Sequence, residues 1–377
     1  ANLDLEFQDT NGNTALFDAV INEDETLALS LLENNDPNLD LEFQDTNGNT
    51  ALHHAAAFGL ARVVDTIRQR APEIINTQNN LGETPIFSAV RHKREDIVEC
   101  IVIYDAMFEY LAEIRDHSSA DFRSRNIDSV INARNLRGET PIFVAADLND
   151  TDMVKKLLSE GANPTIPDNW KCTVLHIAAE HGSVDVINAI CDAIGQDKQV
   201  LAKAINSWAF GYYAIHWAMR FGKPDAALAL LDHGADNLAD NLGRTPFHLA
   251  AQFSWVDVAE RIRKRSQTCQ MNTKDIYGKT PLLLAIIGEE QEEQDPLDEA
   301  KKLKMVNYLL NNGADPNLSD EHNRSPLDVA RNFKLKKVCS EISSRIELMP
   351  VWALCSIFVF VTFLYYLPGN SGTTYAL

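Results

Sequence analysis

The chain has 377 residues, 45% of them hydrophobic, and 34 Lys and Arg stand against 54 Asp and Glu, giving a formal charge of −20 and a pI near 4.9. Such a balance repels the phosphates of nucleic acid and of anionic lipid, so no DNA or RNA partner is expected. The length exceeds the ~250–300 residues at which a single core stops growing, which leaves one large core or a division into units.

The amino end is not read as a secretory signal, because Asp4 and Glu6 interrupt Leu3–Phe7 and no basic region precedes them. From Asn2 to Leu16 runs NLDLEFQDTNGNTAL, and the same fifteen residues recur unchanged from Asn38 to Leu52. An offset of 36 residues points to stacked repeat units. Aligned on Gly-x-Thr, the motif continues at Gly82-Glu83-Thr84-Pro85, Gly138-Glu139-Thr140-Pro141, Gly243-Arg244-Thr245-Pro246 and Gly278-Lys279-Thr280-Pro281. Weaker copies stand at Lys171-Cys172-Thr173, Gly211-Tyr212-Tyr213 and Asn323-Arg324-Ser325-Pro326.

Nine units result, opening at Thr14, Thr50, Thr84, Thr140, Thr173, Tyr213, Thr245, Thr280 and Ser325. In each, Thr is expected to cap a first helix and Pro to occupy its first turn, where a missing N–H costs nothing. Paired alanines allow close helix approach, and Gly161, Gly234 and Gly313 are expected to end second helices in the left-handed conformation. Two steps are long. Extra sequence near residues 105–130 predicts a lengthened second helix and a loop, and the acidic run at 288–304 predicts a solvated loop.

The units resemble ankyrin repeats. Thr245-Pro246-Phe247-His248-Leu249-Ala250-Ala251 nearly spells that family's first-helix signature, and Leu157–Pro164, Leu230–Asp236 and Leu309–Asn317 resemble its second-helix ending. The resemblance implies an all-α solenoid of helix pairs with hairpin-like fingers over residues 1–343, and a concave side that binds protein. It also implies that His53, His176, His216 and His248 hydrogen-bond their own turn and the neighbouring unit.

Residues 344–347 form a juxtamembrane link, and Leu348–Leu367 is a 20-residue stretch without a charge, long enough as a helix to span a bilayer core. Trp352, Tyr365 and Tyr366 lie near its ends, as interfacial aromatics do. The expected architecture is therefore an ankyrin-like solenoid followed by one transmembrane helix and a short tail, 368–377. Lys334, Lys336, Lys337 and Arg345 precede the span, which places the repeats in the cytosol. Six scattered cysteines, Cys100, Cys172, Cys191, Cys269, Cys339 and Cys355, lack the close pairs of zinc or redox motifs and fit a reduced compartment.

No complete catalytic, metal or phosphate-loop motif is present, so no enzyme activity or cofactor is expected. The candidate site is a protein-binding surface in repeats five to eight. Trp170, Phe210, Leu242 and Tyr277 precede the finger glycine position, Tyr212 and Arg244 follow it, and Arg220, Phe221, Gln252 and Phe253 end first helices. Aromatics with arginine are the usual content of binding hot spots. A packing ladder of finger against finger is the alternative. The expected role is a membrane-anchored adaptor. Rivals are the amino-terminal part of a multi-span ankyrin channel or palmitoyl transferase, and a bacterial effector inserted in host membranes.

Overall fold

The structure is a computed structural model that describes residues 14–34, 39–102, 130–195, 197–265, 271–288 and 296–347. The chain divides into two compact units, residues 1–235 and 236–377. Repeats one to six lie in the first unit and repeats seven to nine in the second.

Each repeat is a short helix, a tight turn and a second helix. In the first unit the first helices are Ala15–Ile21, Ala51–Phe58, Pro85–Arg91, Pro141–Asp147, Val174–His181 and Ala214–Arg220. Their partners are Glu25–Glu33, Ala61–Arg70, residues 95–102, Thr151–Ser159, Val184–Ile194 and Pro224–His233. In the second unit Pro246–Gln252, Pro281–Ile287 and Pro326–Asn332 pair with Val256–Arg265, Pro296–Asn311 and residues 336–347.

In eight of the repeats the first helix stays at seven or eight residues because a left-handed residue stands nine positions after the capping residue, and in repeat eight Gly288, at φ of 69°, stands eight positions after Thr280. Gly59, Gly182 and Gly222 take that backbone without strain, whereas Glu23, Lys93, Asn149, Ser254 and Lys334 take it against the preference of an L-residue. Gly161, Gly234 and Gly313 end their second helices at φ of 92°, 120° and 96°, as expected from the sequence.

The core follows from side-chain size. Ala55, Ala56, Ala145, Ala178, Ala179, Ala250 and Ala251 are fully buried, letting neighbouring first helices approach, and Leu52, Ile86, Phe87 and Phe247 fill the space between repeats. Burying each of these larger side chains stabilises the fold by about 1.5–3 kcal/mol. One element was not expected: Lys198–Ile205 is an extra helix between repeats five and six, capped by Asp197, whose carboxylate accepts from the N–H groups of Gln199 and Val200.

The acidic run is partly a correction. Residues 289–295 lie outside the described residues, but Pro296–Asn311 is helical where a solvated loop was expected. Pro296 fits the first helical turn, Asp298 and Glu299 suit its positive end, and Asp298 pairs with Lys302 one turn on at 2.9 Å. Lys302 is buried and its Nζ also reaches the Ile287 carbonyl. The lengthened helix and loop expected near 105–130 fall largely outside the described residues, as does the span Leu348–Leu367. Among the described residues no helix is long and apolar enough to cross a membrane.

Candidate protein-binding surface

The fingers share a local device. Five residues before the capping Thr or Ser stands an Asp or Asn whose side-chain oxygen accepts two backbone N–H groups, two and four residues on. It occurs at Asp45, Asn79, Asn135, Asp168, Asp240, Asp275 and Asp320, with distances of 2.8–3.0 Å. One acceptor thus satisfies donors that a tight turn would leave unpaired. Successive fingers are joined through backbone: the carbonyls of Asn47, Leu81 and Arg137 accept from Asn80, Leu136 and Asn169 in the first unit. Those of Leu242 and Tyr277 accept from Ile276 and Glu321 in the second.

Repeat six departs from this plan. Trp208 takes the Asx position and Tyr213 the Thr position, and the finger becomes a small antiparallel hairpin pairing Trp208 with Tyr213 and Ala209 with Tyr212. Phe210 and Gly211 form the two-residue loop at φ of 50° and 85°, the positive-φ pair that matches hairpin twist. A phenylalanine in left-handed backbone costs of order 1–3 kcal/mol. Its side chain recovers little by packing, since it is 58% exposed. The hairpin is closed underneath by Trp208 and Tyr213, edge to face at 4.7 Å.

The first unit holds five of the ten expected residues, on this hairpin and beside it. Tyr212 and Arg220 meet: Arg220 Nη1 donates to the Tyr212 hydroxyl at 2.9 Å, and the guanidinium lies 4.7 Å from the ring centre. Phe221 packs beside Trp217 at 5.9 Å. Trp170, 49% exposed, stands on the preceding finger. Sequence reasoning missed Trp208 and Trp217. Trp217 sits in the first-helix slot after His216, where the other repeats carry Asp18, His54, Ser88, Val144, Ile177, Leu249, Leu284 and Val329. That slot difference was the available signal. Its ring meets His176 edge to face at 5.7 Å, and its indole N–H is buried without a hydrogen-bond partner.

The second unit holds the remaining five. Tyr277 is exposed with Lys279 Nζ 5.6 Å from its ring centre, Phe253 stacks obliquely on Trp255 at 5.1 Å, and Gln252 donates to the Gly288 carbonyl. Leu242 is half-buried. Arg244 faces inward: both Nε and Nη2 donate to Asp240 Oδ2, at 3.0 and 2.9 Å, with side-chain exposures of 17% and 0%. Its guanidinium braces the finger, as that of Arg324 does on Asp320.

Two of the four signature histidines, His53 and His248, make the expected bridge in full, and His176 accepts the Thr173 N–H on Nδ1, while at His216 the capping Thr of the turn is replaced by Tyr213. His53 Nδ1 accepts from the Thr50 N–H, and Nε2 donates to the Glu83 carbonyl of the next repeat at 2.9 Å. His248 repeats this with Thr245 and the Thr273 carbonyl. Burial lowers the pKa of both, and that of His176 to about 4, which holds the rings neutral. Burial likewise pushes the thiols of Cys100, Cys172 and Cys191 up to about 12. Among the described residues no cluster of three or more His, Cys, Asp or Glu could hold a metal ion.

The family pattern described as ankyrin repeats (3 copies) matches residues 1–76, 38–112, 107–202, 195–275 and 215–320. The chain belongs to the ankyrin repeat family. Its similar proteins include the mouse B-cell lymphoma 3 protein homolog, 26% identical over 246 residues that cover 63% of this ankyrin chain and 50% of that protein. A putative palmitoyltransferase ZDHHC13 of Danio rerio is 30% identical over 200 residues, 50% of this chain and 27% of that protein. Human transient receptor potential cation channel subfamily A member 1 is 25% identical over 346 residues, 77% and 29% respectively. The ankyrin chain therefore spans half the length of the first relative and under a third of the other two. Among solved structures, the ankyrin repeat protein EF0377 aligns with a TM-score of 0.45 at 21% identity, over 54% of this chain and 96% of that one.

Proposed function

We propose that this ankyrin chain is a non-enzymatic adaptor that binds a protein through the finger and first-helix side of repeats five and six. Phe210 carries this reading: a bulky residue held in left-handed backbone and left exposed has no packing reason to be there. Trp170, Tyr212, Arg220 and Phe221 supply further aromatic and guanidinium surface beside it, and Phe253 and Tyr277 offer a second group in the other unit. Affinity capture tests the proposal. A protein retained by the parent chain and lost from Trp170→Ala/Phe210→Ala, with helical content unchanged, supports it. Equal retention by both chains refutes it, and loss only in Phe253→Ala/Tyr277→Ala moves the site to the second unit.

Membrane attachment through Leu348–Leu367 belongs to the same proposal and rests on the uncharged sequence. Carbonate extraction of the full chain against a chain ending at 347 tests it, and equal solubility of the two removes the anchor. A second reading is favoured by the channel and palmitoyltransferase relatives, in which the repeats are part of a larger protein. Additional spans or an Asp-His-His-Cys motif in the flanking reading frame would decide for it.

A further inference from the structure

The charge of −20 is unevenly held. Residues 1–235 contain 18 Lys and Arg against 36 Asp and Glu, whereas residues 236–377 contain 16 against 18. The second helices show the contrast most clearly. In the first unit four of the six second helices, Glu25–Glu33, residues 95–102, Val184–Ile194 and Pro224–His233, contain no Lys or Arg, and the two that do, Ala61–Arg70 and Thr151–Ser159, are not consecutive in the stack. In the second unit, Val256–Arg265, Pro296–Asn311 and residues 336–347 together carry ten cations against six acids.

These three basic helices lie side by side. Arg263 Nε donates to the Tyr308 hydroxyl at 3.3 Å, joining the first to the second. The Lys337 N–H donates to Glu299 at 2.9 Å, and Arg345 donates to Asn311 at 2.7 Å, joining the second to the third. Three of the acids are neutralised within their own helix, Glu260 by Lys264, Asp298 by Lys302 and Glu341 by Arg345. Arg263, Arg265, Lys301, Lys304, Lys336 and Lys337 remain exposed against the exposed acids Asp257 and Glu347, so the row keeps a net positive charge.

We infer that this second-helix face of repeats seven to nine binds an anionic phospholipid surface. Charges farther apart than about 10 Å are largely screened at 0.1 M salt, so local sign outweighs the negative total that first argued against anionic lipid. The third basic helix runs to residue 347, immediately before thirty residues without Asp, Glu, Lys, Arg or His. Headgroup phosphates and carboxylates beside an apolar phase are the chemistry that suits such a junction. The inference extends the membrane reading of the tail but does not depend on insertion, because lipid charge and apolar depth are separate variables.

Vesicle partitioning of the full chain tests it, with pure phosphatidylcholine and with a 7:3 mixture of phosphatidylcholine and phosphatidylserine. At 0.1 M salt the mixed vesicles should retain the chain about tenfold more strongly, and the advantage should vanish at 0.5 M salt. The quadruple variant Arg263→Gln/Lys301→Gln/Lys304→Gln/Lys336→Gln should lose the advantage and keep its partition onto pure phosphatidylcholine. Arg62→Gln, an exposed change in the first unit, should leave both unchanged. Equal retention on the two vesicles overturns the inference, as does an advantage that survives the quadruple variant. Tighter binding of the same face to single-stranded RNA than to mixed vesicles also overturns it.

Discussion

The indole of Trp208 meets the ring of Tyr213 edge to face at 4.7 Å, at the two finger positions where seven other described repeats hold an Asp or Asn and a Thr or Ser. A hydrogen-bonded turn has been replaced by an aromatic clasp, and the clasp supports Phe210 in a backbone conformation suited to glycine.

Phe210→Gly should therefore raise stability and remove binding together. Relieving the positive φ is worth about 1 kcal/mol, less the entropy that glycine adds to the unfolded chain. A higher urea midpoint with lost partner capture is the expected pair of results, and a lower midpoint would show that the side chain is a packing element.

Gly48 and Gly161 both have positive φ but differ in surroundings. A Cβ on Gly48 would lie 2.7 Å from the Asn80 backbone nitrogen, whereas one on Gly161 meets nothing within 4 Å. Gly161→Ala should cost about 1 kcal/mol, the left-handed penalty alone. Gly48→Ala should cost at least twice that in a denaturant series, since the neighbouring finger must move.

The capping threonines divide in the same way. Thr245 Oγ1 lies 2.9 Å from His248 Nδ1, while the hydroxyls of Thr84 and Thr140, followed three residues on by Phe87 and Phe143, are buried without a partner. Thr245→Val should destabilise by about 1–2 kcal/mol and Thr84→Val should be near neutral, read from chemical unfolding midpoints.

Acid sensitivity follows from His176. Burial depresses its pKa to about 4, so between pH 6.5 and 4 the unfolded chain takes up a proton that the folded chain refuses. Stability is unaffected by this ring above pH 6.5 and falls as pH drops through that window, by up to about 3 kcal/mol. His53 and His248 act in the same direction. Unfolding midpoints at pH 7.5 and 4.5 should differ, and His176→Gln should narrow the difference.

The repeat frame was legible because Thr, Pro and Gly each have a local backbone reason to recur at fixed spacing. The Asx oxygen five residues before Thr was equally visible, yet its significance emerges only when the two N–H groups it satisfies are seen together. Arg244 was counted with the recognition residues for its place beside aromatics. Its partner Asp240 is four residues away within the same turn, and the folded turn brings both groups inward. Lys198–Ile205 was hidden because a step of 40 residues is close enough to the period to pass as drift. Trp217 required comparing one slot across all nine first helices.

The histidine bridge also sets where the stack holds least firmly. Between repeats two and three, and between seven and eight, an imidazole ties one first helix to the next unit's backbone. At Phe87 and Phe143 the ring can offer no such bond, so across the junctions after repeats three and four the polar ties on the first-helix side include the solvent-screened pairs Lys93–Asp150 at 3.2 Å and His181–Asp147 at 3.3 Å. Amide protons at those two seams should exchange with solvent sooner than those beside His53. The chain would thus part in blocks of unequal size instead of unzipping evenly from its ends.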